Sequence, residues 1–211
     1  MFFAKKTEPG RDPGYPDFPL DLRIGAILSV DEGELLRFAG LDLSWVPSGE
    51  EVLVEALSSM NLFNLRVVRA YARRGDDRLL FQFNLDAAGN LLDTNVFLLA
   101  EEIWPATADD WATWLDAGGL IGGADLDAPN GRHYLRQWGD GASAEPVAVE
   151  ERIYTDAAAA PHSVNHRMML YAREVGEESE NMLLSADADG DTSLVRAWMG
   201  LNLTSVGVRI Y

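Results

Sequence analysis

With 211 residues, 47% of them apolar and 9% aromatic, the chain can build one large domain or two small ones around an ordinary core. Its 34 acidic against 17 basic side chains leave a formal net charge of −17, which disfavours nucleic acid and anionic lipid surfaces, since both are gripped through clustered Lys and Arg. Cysteine is absent, so disulfides, thiolate metal sites and cysteine nucleophiles are excluded together and a reducing compartment is the plain expectation.

Residues 1–19 carry Pro9, Pro13, Pro16 and Pro19 with Gly10 and Gly14, and read as a flexible or extended arm. Its first residues, MFFAKK, lack the apolar run of a secretory signal, and no window approaches a membrane span. The expectation is a soluble, cytoplasmic protein without membrane insertion. From Leu20 the pattern changes: Arg23–Val30 reads as a strand, followed by acidic turn residues and short apolar pieces at Leu35–Phe38 and Leu43–Val46. Glu51–Leu57 and Leu65–Arg73 are rich in β-branched and aromatic residues. The turn Gly75–Asp77 then leads into a run in which Leu79, Phe81, Phe83 and Leu85 alternate with Leu80, Gln82 and Asn84, predicting a hairpin with one core face and one mixed face. After a turn at Asp86–Asn90, NVFLLAEEIW fits a strand or a short helix.

One helix is predicted at Ala108–Ala117: Thr107 can cap it, Asp110 can reach back to the cap, and Gly118-Gly119 ends it. Trp111, Trp114 and Leu115 give it one apolar face, which packs inward. The second half is strand-rich again, through HYLRQWG, Pro146–Tyr154, His166–Val175, Asn181–Ala186, Ser193–Gly200 and Leu203–Tyr211. The fold class is therefore mainly β (α+β): antiparallel strands in a sandwich, meander or open barrel with one or two short helices. Residues 20–211 form one β-rich domain, or two β halves joined near 105–130.

Motifs that carry chemistry are scarce. DADGD (Asp187–Asp191) looks like the start of a calcium loop, but the sixth and twelfth places hold Thr192 and Trp198 instead of glycine and glutamate. A hairpin turn is the better reading, with Asp187, Asp189 and Asp191 only weak metal candidates. His162 and His166 have the spacing of a zinc helix, yet Ser163 stands where such an enzyme keeps its glutamate, and the segment reads as strand. There is no Gly-x-Ser-x-Gly elbow or phosphate loop, and adjacent acids such as Glu150-Glu151 point to opposite faces of a strand. No catalytic residue, cofactor or metal is assigned. Arg132, Arg136, Arg152, Arg167 and Arg173 lie inside strand-like segments and fit Arg–carboxylate pairs, or an anion pocket centred on Arg136, Trp138 and Arg152.

The stretches PLDLRIGAILSVD, WATWLDAGGLIG, GRHYLRQWG, PVAVEERIYTD, HRMMLYARE and VGVRIY resemble the YjfK family of uncharacterised bacterial proteins, over most of the chain from Pro19 onward. The resemblance implies a cytoplasmic bacterial protein, sometimes encoded near membrane-stress proteins of the phage-shock type, and supplies no catalytic residues. The resulting expectation is a non-enzymatic accessory or interaction protein, an adaptor in envelope stress with another protein as its partner. The alternative is a small-molecule (anion) binding protein or enzyme whose arginines and carboxylates converge from separate strands.

Overall fold

Alternation of side chains along each strand sorts them onto two faces, and in the computed structural model, which describes residues 14–128 and 131–211, those faces become the inside and outside of a barrel. The first short strand, β1 (Ile27–Val30), leads into α1 (Glu32–Phe38), capped by Asp31, whose carboxylate accepts from the Gly33 N–H at 2.8 Å. Leu35–Phe38 was expected among turn residues; the cap and Phe38, which is buried, make it helical instead.

Four strands then run as an antiparallel meander: β2 (Val52–Leu62), β3 (Leu65–Arg74), β4 (Asp77–Leu85) and β5 (Leu91–Ile103). The NVFLLAEEIW segment is thus strand, held on both sides. After α2 (Ala108–Leu115) come the short β6 (Asp125–Asp127) and β7 (His133–Arg136), and a second meander of β8 (Val147–Tyr154), β9 (His162–Val175), β10 (Glu178–Asp189) and β11 (Thr192–Leu203). Pairing of β2 with β8 and of β5 with β11 joins the two meanders into a closed eight-stranded barrel. Neither a sandwich nor an open barrel forms, because each meander offers its two outer edges to the other and no edge is left over. Strand takes up 54% of the described residues, beside two short α-helices among them, so the mainly β class holds.

The tight turns follow the sequence signals. In β10–β11 the register runs Asp189 to Thr192, with Gly190 at φ 58° in the turn, and the β3–β4 hairpin is built likewise around Gly75. DADGD is therefore the end of β10 and its hairpin turn.

Apolar side chains gather in three groups. Inside the barrel lie Met60, Val67, Leu80, Phe97, Leu183 and Trp198. Outside the first meander, Phe81, Phe83 and Leu201 pack under β1, α1 and the last strand, β12 (Val208–Ile210), which pairs with β1. Outside the second, Met169, Tyr171 and Leu184 pack under α2 and Ile121. The end of the N-terminal arm joins the first outer group: Tyr15, Phe18 and Tyr154 meet edge to face with ring centroids 5.3–5.7 Å apart. Residues 1–13 of that arm lie outside the described residues.

Gly200 on β11 lies opposite Phe97 on β5, and a Cβ there would overlap the Phe97 ring. Gly200→Ala should therefore cost about 1–3 kcal/mol of stability, read as a lower denaturant midpoint with an unchanged slope.

Candidate functional site

Half of the barrel lumen is polar, and its side chains join into a belt that touches every strand of the barrel. Glu102 on β5 accepts from Arg196 Nε on β11 at 2.9 Å, and Arg196 Nη1 reaches Asp187 on β10 at 2.7 Å. The other Asp187 oxygen lies 2.6 Å from His166 Nδ1 on β9, whose Nε2 is 2.7 Å from Glu151 on β8. Glu151 also accepts from Ser58 on β2, from Tyr71 at 2.8 Å and from Arg69 at 3.2 Å, both on β3. Arg69 Nε then donates to Gln82 on β4 at 2.9 Å, Gln82 to Asn84 at 3.1 Å, and Asn84 to Asp93 back on β5 at 2.5 Å. Its centre is almost dry: Ser58 and Glu151 are 0% exposed, Arg69 and Asp187 3%, and His166 6%.

Hydrogen-bond valence fixes the charge of His166. Ionised carboxylates only accept, so an imidazole with Asp187 on one nitrogen and Glu151 on the other must donate from both and is an imidazolium. Burial disfavours that charge, but hydrogen bonds to Asp187 and Glu151 and their negative charges outweigh it, and the His166 pKa is raised. Burial likewise opposes ionisation of Glu151, yet Arg69, His166 and Ser58 hold its carboxyl far below the usual carboxylate range. Burial, then the neighbouring Glu151 charge, pushes the Tyr71 phenol well above its ordinary value, so it stays a donor. Glu151 is thus held ionised, with Arg69, Ser58, Tyr71 and the His166 imidazolium as its donors.

A roomier concavity lies elsewhere, on the outer wall. Across β8–β11, Ala148, Arg167, Ala186 and Val195 stand directly opposite one another, and beside them Glu150, Asn165, Ala188 and Ser193 form the next row. The short side chains leave a shelf, and α2 overhangs it with Trp111 and Leu115. The groove between them encloses about 550 Å³. Helix α2 is fixed there by the expected capping box: Thr107 Oγ1 accepts from the Asp110 N–H at 3.1 Å while Asp110 accepts from the Thr107 N–H at 2.9 Å. Trp111 and Trp114 are half-buried against the second outer core, so the apolar stripe packs inward while Trp111 also walls the groove.

The three residues chosen for an anion pocket take separate positions, and none hydrogen-bonds another. Arg136 donates to the carbonyls of Gly122 at 2.5 Å and Gly141 at 2.6 Å, tying two loops together, and its Nε is buried without a partner. Trp138 meets Phe63 edge to face at 5.5 Å and packs against both the lumen and the second outer core. Arg152 is exposed, 3.9 Å from Glu150. The aspartates of DADGD diverge as well: Asp187 enters the belt, Asp189 lies 4.0 Å from His162, and Asp191 is exposed in the turn. Among the described residues no three His, Asp or Glu side chains are grouped to hold a metal ion. Arg132 pairs with Asp42 and Arg173 with Glu180, as Arg–carboxylate pairing predicts. The reading from sequence missed Arg69 and Glu151; their signal is a polar residue at an inward position of an otherwise apolar strand.

The stability contributed by His166 is present in full below its unfolded pKa of about 6.5 and is lost as pH rises through its elevated folded pKa. Urea midpoints measured between neutral pH and pH 9 should fall for the wild type. In His166→Gln the additional fall due to this residue should vanish. Glu151→Gln removes one partner from a buried ionic group and should cost about 3–5 kcal/mol at pH 7, measured by the same titration.

No helix among the described residues is long and apolar enough to cross a membrane. No curated protein and no solved structure matches the chain. The family model DUF2491, described as a protein of unknown function, matches residues 1–209, and the chain belongs to that family.

Proposed function

We propose that the protein is a non-catalytic binding protein, an accessory factor whose contact site is the groove between α2 and the outer wall of β8–β11. The observation that carries this reading is the groove itself: about 550 Å³, with Trp111, Leu115 and alanines beside polar groups that include Glu150, Arg167 and Asp187, within the size and composition of ordinary ligand sites. The belt's buried acids and bases are bonded to one another, which fits a structural role for them. The resemblance to YjfK proteins, sometimes encoded near membrane-stress proteins, is what suggests a place in envelope stress.

Ala188 lies on the open shelf, so Ala188→Trp should fill the groove without touching the lumen. The full chain and this variant, each exposed to a cell lysate and repurified, should melt alike, and native mass spectrometry should find a bound species on the wild type alone. The same cargo on both proteins, or none on the wild type, would overturn the reading.

A further inference from the structure

Positive charge is scarce in this chain, and nearly all of it is committed. Among the described residues every arginine except Arg167 has a hydrogen-bond or ion-pair partner, from the exposed Arg73 beside Glu55 to the buried Arg69 beside Glu151. Arg167 has none. It also stands in the middle of the groove, in register between Ala148 and Ala186, neither of which can meet a guanidinium. In a protein with 34 acidic side chains, an arginine left alone between two alanines and beneath Trp111 marks a place where a negative group can arrive from outside.

Resting on the reading of the groove as a contact site, we infer that its occupant is a small amphiphilic monocarboxylate. The carboxylate pairs with Arg167, and an aliphatic or aromatic body lies on Ala148, Ala186 and Ala188 under Trp111 and Leu115. The fork of a guanidinium matches a planar carboxylate with two parallel hydrogen bonds. Glu150 and Asp187 line the same groove, and the neighbouring His166 is already bonded to Asp187, so a second negative charge on the ligand would meet like charges; this selects a monoanion over a dianion such as a phosphate monoester. Enclosure of about 550 Å³ suits a molecule of that size rather than a folded partner.

The test uses octanoate, octan-1-ol and octylamine, titrated calorimetrically into the full-length wild type and into Arg167→Gln. Arg167 is exposed and unbonded, so the variant should fold as the wild type does. Octanoate should bind the wild type about tenfold or more tightly than the alcohol, with the amine no better than the alcohol, and Arg167→Gln should reduce octanoate to the alcohol's level. Equal binding of acid and alcohol, or an unaltered octanoate affinity in Arg167→Gln, would overturn the anion assignment and leave the groove as a contact site. A wild type that ignores octanoate but retains a protein that Ala188→Trp does not retain would assign the groove to a polypeptide and overturn the small-molecule class. The contact-site reading itself falls only by the comparison of wild type and Ala188→Trp after lysate exposure.

Discussion

The ring of ionic and polar side chains around the lumen is the constraint on which the barrel depends. Moving a charge out of water costs several kcal/mol, and an ion pair offsets this only with good geometry and further hydrogen bonds for its remaining donors and acceptors. Glu151 meets that condition with Arg69, His166, Ser58 and Tyr71, four groups carried by β2, β3 and β9. A shift of any of these strands by one residue would turn its polar member outward and leave the rest buried and unpaired. The belt thus selects a register as much as it adds stability. An all-apolar lumen of similar volume would fold with less discrimination between neighbouring registers.

The lumen keeps a pocket of about 190 Å³ beside Arg69, Tyr71, His166 and Trp198, and the groove of about 550 Å³ on the outer wall is the roomier of the two. The two meanders are covered differently. Over the first, β1, β12, α1 and the aromatic cluster of Tyr15, Phe18 and Tyr154 leave large side chains such as Phe81 and Phe83 buried. Over the second, α2 and Ile121 cover Met169, Tyr171 and Leu184, but the rows through Arg167 and Asn165 have only small neighbours and are left open. The groove lies where α2 presents Trp111 and Leu115 to alanines of the second meander, whereas the first meander has phenylalanines under its cover.

Much of the fold was legible in sequence, and the reason is local. Alternation in β4, the Asp-Gly turns and the Thr107–Asp110 capping box each depend on residues within a few positions of one another, and each formed as read. The class came out as β for the same reason, whereas closure did not, since it depends on β2 meeting β8 and β5 meeting β11 across about half the chain. The site was harder still. Gln82 and Asn84 were seen only as a mixed face, and nothing within their own strand says that Arg69 and Glu151 complete them. His166 was read as part of a strand with no metal role, and its two carboxylate partners come from β8 and β10. Arg136, Trp138 and Arg152 attracted notice as arginines and an aromatic close in sequence, yet loop carbonyls, Phe63 and solvent claim them separately. Arg167 was noticed with the other strand arginines, and what sets it apart, the lack of a partner, is a property of tertiary structure alone.

The two seams also set the order of events during synthesis. Leu57 waits for Tyr154, and Thr94 for Leu203, so beyond its short pairing with β1 the β2 flank stays bare until β8 is made, and the β5 flank until β11 is made. Such distant pairings are slow to find and prone to meeting the wrong neighbour. Nascent chains of this protein are consequently open to strand exchange with one another until both seams have closed.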